Sequence, residues 1–169
     1  MCKTALEALK EALGLLESAT PLRFDCGQLC AKACCRDDGG DEPNGMLLFP
    51  GEEAFYAGQG TWMEMYDSEL CFKGEPVKLL VCHLPCPRSL RPLSCRVFPL
   101  FPYLKGEKIM PKMDLRAAPL CPLYSSDEAG LSPEFIAAVK QAGEALMQSG
   151  TQKAFLALLS AHIGEYWFL

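Results

Sequence analysis

Ten cysteines occur in this 169-residue chain, at positions 2, 26, 30, 34, 35, 71, 82, 86, 95 and 121. Eight of them fall between Cys26 and Cys121 in two groups, Cys26, Cys30, Cys34 and Cys35, then Cys82, Cys86, Cys95 and Cys121. No other feature constrains the fold as much. A chain of this length can bury enough apolar surface to fold without disulfide staples. Half of its residues are hydrophobic. The N-terminal stretch "MCKTALEALKEALGLLESAT" is interrupted by Glu7, Lys10, Glu11 and Glu17 and has no small-residue cleavage site, so it reads as an amphipathic helix rather than a secretory signal. No stretch approaches the roughly 18 apolar residues of a membrane span. The chain is expected to be cytoplasmic, where dense cysteine points to metal binding or redox chemistry before structural disulfides.

Spacing sharpens the expectation. On a straight helix, Cys30 would lie about 40° round from Cys26, Cys34 about 80° and Cys35 about 180°. Residues four apart can chelate one metal, but Cys26 and Cys34 would stand about 12 Å apart along the axis. Zn–S bonds of about 2.3 Å bring ligand sulfurs to about 4 Å. An unbroken helix over 26–35 therefore cannot offer all four thiols to one zinc. Either Cys26 swings in from a loop, or two sites share the cysteines, or the acceptor is a wider iron–sulfur cluster. The candidate metal ligands are Cys26, Cys30, Cys34, Cys35, Cys82, Cys86, Cys95 and Cys121. Cys86-Pro87 and Cys121-Pro122 resemble the Cys-Pro pair that closes some ferredoxin runs.

Eight thiolates around two Zn²⁺ leave a local charge of about −4. Arg88, Arg91 and Arg96, with Lys32 and Arg36, lie in sequence where they can offset it. In "RPLSCRVFP", Arg91 and Arg96 are expected to stabilise the Cys95 thiolate. The plainer readings are a buried apolar role for Cys71, a frayed terminus for Cys2, surface or core roles for His83 and His162, and solvated charges for the arginines.

The rest of the chain predicts an α+β fold in one domain, 1–169. It comprises a small cysteine-rich metal-binding core with short strands over 22–124, an N-terminal helix over 3–18 and a two-helix extension over 132–166. Residues 36–45 read as a polar loop, "MLLFPGEEAFYAG" as a short strand and then a short helix starting near Pro50, and 90–97 as a short helix. Strands are expected either side of Lys73-Gly74, and a hairpin at Gly106-Glu107. Ser132 and Pro133 open a helix that Gly150 should stop, and a second helix runs from Gln152 to Gly164. The C-terminal "EYWFL" suggests packing or a dimer contact. The net charge of −5 and the lack of aromatics among the arginines argue against a nucleic-acid partner.

"CAKACC" with Cys26 upstream, then "LLFPGEEAFYAG", then "CPRSLRPLSCRVFP", resemble the bacterial CxxCxxCC, or YkgJ-like, family named for zinc or iron chelation. A similar cysteine-rich domain occurs in flagellin lysine-N-methylases. The resemblance covers residues 26–122. The family's Cys-x-x-x-Cys-Cys element falls on Cys30, Cys34 and Cys35. Its Arg-Pro-x-x-Cys-Arg-x-Phe-Pro element falls on Arg91, Pro92, Cys95, Arg96, Phe98 and Pro99. Family members usually carry a longer segment between the two cysteines before that element. Here Cys82 and Cys86 are four apart, which leaves Cys71 or His83 as a substitute ligand. The resemblance implies a metal ion or cluster as cofactor, zinc or iron–sulfur, an unidentified protein partner and no assigned catalysis. A thiol redox switch, or a methyltransferase-like enzyme or accessory subunit, is the alternative. No glycine-rich cofactor loop or nucleophile–base pair supports catalysis.

Overall fold

A computed structural model describes residues 2–35, 44–58, 62–83, 86–126 and 130–165. The fold is α+β. Its elements in chain order are α1 (Ala5–Leu15), α2 (Gly27–Cys30), β1 (Met46–Leu47), β2 (Met63–Phe72), β3 (Glu75–Cys82), α3 (Leu93–Val97), β4 (Leu100–Lys105), β5 (Lys108–Met113), α4 (Pro133–Leu146) and α5 (Gly150–Glu165). Single 3₁₀ turns at Ala33–Cys35, Glu52–Phe55, Arg88–Leu90, Leu115–Ala117 and Pro122–Ser126 join them. One antiparallel sheet has the order β1-β3-β2, and β4-β5 is a separate hairpin.

Local chemistry explains most of the regular elements. α1 opens with a capping box. The Thr4 side chain accepts the Glu7 N–H at 3.2 Å, and the Glu7 carboxylate accepts the Thr4 N–H at 2.8 Å. The helix is shorter than the expected 3–18, because capping sets its start and Leu16 already has a non-helical ψ. The β2–β3 turn is Lys73-Gly74, both at positive φ (53° and 87°), as a two-residue hairpin loop requires. The β4–β5 pair closes at Lys105↔Lys108 around Gly106-Glu107, as expected.

The Ser132 side chain accepts the Phe135 N–H at the start of α4, with Pro133 in the first turn. α4 ends at Leu146, before the expected Ser149. Gly150 does not stop it but begins α5, because the backbone turns at Met147–Ser149 and α5 restarts immediately.

The two C-terminal helices share one apolar core with α1 and the strands. Phe135, Val139, Leu146, Phe155, Leu156 and Leu159 are buried together with Leu9, Leu16, Phe49, Leu93 and Leu100. Phe155 is the hub of its aromatic part, edge-on to Phe49 (5.2 Å) and to Phe72 (5.1 Å). Gly143 lets α4 lie against the β4–β5 hairpin. A Cβ there would stand 2.7 Å from Ile109 Cγ2 and 2.8 Å from Pro102 Cβ. Among the described residues no helix is long and apolar enough to cross a membrane. Arg36, most of the expected 36–45 loop and residues 166–169 of "EYWFL" lie outside the described residues.

Candidate metal centre

The cysteine run does not form one helix. α2 covers a single turn with Cys26 before it and Cys30 at its end. The chain then passes through two consecutive left-handed residues, Ala31 (φ 48°) and Lys32 (φ 60°), before the 3₁₀ turn Ala33–Cys35. Neither is glycine, so each carries a conformational cost of about 1–2 kcal/mol. The reversal removes the straight-helix separation of Cys26 from Cys34.

The second group arrives from three directions. Cys82 ends β3, Cys95 sits in α3, and Cys121 follows the Leu115–Ala117 turn, its N–H donated to the Ala117 carbonyl at 2.8 Å. All eight candidate cysteines line one cavity of about 80 Å³. Asp25, Arg88, Arg91 and Arg96 line it too.

Within that wall two of the thiols stand close together. The sulfurs of Cys34 and Cys35 are 4.0 Å apart. That contact, in which either sulfur can donate, draws the Cys35 thiol down to about 6, helped by Arg91 and Lys32, and drives Cys34 upward. Cys82 and Cys86 act on each other in the same sense, Cys82 being pushed up and Cys86 drawn down with help from Arg91, while the Cys86 thiol is donated to the Pro87 carbonyl at 3.7 Å. Burial pushes Cys95 well up, and Cys35, Cys86 and Glu52 add to it. Burial also raises Cys26 and Cys121. Among the described residues, no three His, Cys, Asp or Glu side chains converge closely enough to hold a metal ion as they stand.

The arginines divide sharply. Arg91 acts on Cys26, Cys35, Cys86 and Cys95, and its Nε is buried without a hydrogen-bond partner among the described residues. Arg96 is spent on the backbone. Its Nε, Nη1 and Nη2 donate to the carbonyls of Arg91 (2.9 Å), Leu13 (3.2 Å) and Ser89 (2.8 Å). The expectation that Arg96 attends the Cys95 sulfur is thus replaced by a structural clamp. Arg88 donates to the Ala19 carbonyl at 2.8 Å.

Glu52 escaped the sequence reading. It is fully buried in a 3₁₀ turn. Its carboxylate accepts the N–H of Phe49 (2.9 Å) and of Leu93 (2.7 Å), the first residue of α3. Burial raises it to about 7 against those two bonds. Ser94 donates to the Leu47 carbonyl at 2.5 Å, so two bonds tie the Cys95 helix to β1 and the turn that follows it.

The remaining candidates lie elsewhere. Cys71 is exposed on β2, not buried, because it faces outward beyond the irregular register between Asp67 and Cys71. Cys2 is exposed, its thiol donated to the Gln148 carbonyl. His83 is exposed beside Glu64 at 3.6 Å, away from the cavity wall. His162 belongs to α5.

The fold and cavity define an α+β protein with a thiol-lined pocket whose wall includes Arg91, its buried Nε without a partner among the described residues. No family model, curated protein or solved structure matches the chain.

Proposed function

We propose that this is a cysteine-ligated metal-binding protein that holds zinc or an iron–sulfur cluster in the thiol-lined cavity. One observation carries the reading: eight cysteines from five separate segments, spread over residues 26–121, line a single cavity. The donor set fits such a group. The Cys34–Cys35 separation of 4.0 Å equals the spacing of two sulfurs on one zinc, about 4 Å. Each thiol turns on a single χ1 rotor, so the sulfurs of the cavity wall can change direction without backbone change. Arg91 supplies the positive charge a thiolate cluster needs.

Cys26, Cys30, Cys34, Cys35, Cys82, Cys86, Cys95 and Cys121 would hold the metal. Zinc closed by four thiolates would make the domain structural, and an iron–sulfur cluster would supply electron transfer or sensing. The resemblance to the CxxCxxCC family supports the same reading, because its Arg-Pro-x-x-Cys-Arg-x-Phe-Pro element contributes Arg91, Cys95, Phe98 and Pro99 to the cavity wall. All ten cysteines are free thiols, which suits a reducing compartment such as the cytoplasm.

Elemental analysis with an absorption spectrum on protein purified without air tests this. Iron with acid-labile sulfide, or zinc with a flat visible spectrum, is the expected result. Metal-free protein with its cysteines recovered as disulfides would overturn it and leave the second reading, a thiol redox switch. The 4.0 Å approach of the Cys34 and Cys35 sulfurs favours that alternative.

A further inference from the structure

We propose that a second cavity, which shares no lining residue with the thiol-lined one, binds a linear aliphatic diamine in its doubly protonated form.

The sheet makes room for this cavity. β1 pairs with β3 only at Leu79 and Leu80, and the Leu48 N–H then donates to the Lys78 carbonyl at 2.8 Å. Past that bond a cavity of about 370 Å³ opens between the 48–53 segment and β3, within the size range of small-molecule sites.

Floor and rim differ in chemistry. Leu48, Phe49, Val77 and Phe155 line the cavity and are all buried, and Phe72 stands edge-on to Phe155 beside them. The charged lining residues, Glu53, Asp67, Glu75 and Lys78, are all exposed. Three carboxylates against one ammonium leave the wall a net charge of −2. Lys78 is already bonded to Asp67. Among the described residues neither Glu53 nor Glu75 has an ion-pair partner.

The fold holds these carboxylates apart. Glu52 turns inward onto the Phe49 and Leu93 N–H groups and fixes the 3₁₀ turn, which leaves Glu53 exposed at the cavity. On β3, Glu75 stands three residues from Lys78, about 10 Å along the strand.

This combination selects the ligand. A compact hydrated cation could meet the carboxylates but would leave the apolar floor to water. A neutral apolar molecule would cover the floor and make nothing of the charge. An alkyl chain with an ammonium at each end does both, and its charge matches the two unpaired carboxylates.

The test is an NMR titration of the reduced, isotope-labelled full chain with hexamethylenediamine, hexylamine and Mg²⁺ in turn. The diamine is expected to saturate a single site and to shift the amides of Phe49, Val77 and Phe155, leaving those around the thiols in place. Hexylamine should bind about tenfold more weakly, as should the diamine to the variant Glu53→Gln/Glu75→Gln, whose far-UV circular dichroism should be unchanged. Mg²⁺ at the same concentration should not displace the diamine. Displacement by Mg²⁺, equal binding of hexylamine, undiminished binding to the variant, or shifts scattered over the acidic surface would overturn the proposal. So would an arginine-rich peptide that moves the cavity amides where the diamine does not, which would give the cavity to a protein partner. The comparison of the three cations needs no variant, and none of these outcomes bears on the metal reading.

Discussion

The walls of the cavity and the scaffold behind them are built in opposite ways. α1, α4, α5 and the β4–β5 hairpin are regular, and their apolar faces meet in one core. Apart from Cys82, which ends β3, the thiols ride on pieces of three to five residues or the turns beside them: α2, α3 and 3₁₀ turns. Such pieces are too short to persist alone, since helix nucleation is costly. They are held by a few long-range bonds from Arg96, Arg88, Glu52 and Ser94. Regular secondary structure thus supplies stability, and irregular structure lets side chains from distant segments face one point.

That contrast can be broken from either side. The largest effect should come from the scaffold. Phe155→Ala removes a ring packed between Phe49 and Phe72 and should cost about 3–5 kcal/mol. Denaturant unfolding of metal-free protein would measure it, and the metal stoichiometry of the surviving folded fraction should be unchanged. Glu52→Ala strands two buried N–H groups at about 1–3 kcal/mol each and should also lower metal uptake, because α3 loses its anchor.

The same carboxylate predicts a pH dependence. Its folded value of about 7 lies above the ordinary 4.5. Its contribution is therefore fully present below pH 4.5 and lost as the pH rises through 7, about 3 kcal/mol in all. In metal-free protein that slope should vanish in Glu52→Gln. A flat wild-type profile would show that the two N–H bonds outweigh burial. Next in size, Arg91→Ala should leave metal-free stability within about 0.5 kcal/mol and weaken metal binding about tenfold, read by chelator competition. Thr4→Ala, which removes the α1 cap, should cost about 1 kcal/mol with no effect on metal.

Local signals made the scaffold legible. Ser132-Pro133, Lys73-Gly74 and Gly106-Glu107 carry their own backbone instructions. The cysteine spacing singled out eight residues without saying whether they serve one site or two, and all eight line one cavity. Less visible was what depends on distant partners. Glu52 is buried because of Leu93, 41 residues away. Arg91 and Arg96 look alike beside Cys95, and only the Leu13 carbonyl, 83 residues from Arg96, tells them apart. The reversal at Ala31–Lys32 has neither glycine nor proline to announce it. Gly150 carried a stop signal, but the turn at Met147–Ser149 comes first and makes it a helix start.

The Arg96 clamp has a kinetic side. One guanidinium holds the end of α1 and both flanks of the segment leading to Cys95, so that segment cannot lift away while α1 stays docked. Opening of the cavity wall is then a subglobal event shared with α1, and amide hydrogens of 89–97 should exchange with the same opening free energy as those of α1's last turn. Whatever the thiols hold would leave no faster than that helix loosens, which makes its residence time a property of the scaffold as much as of the sulfurs.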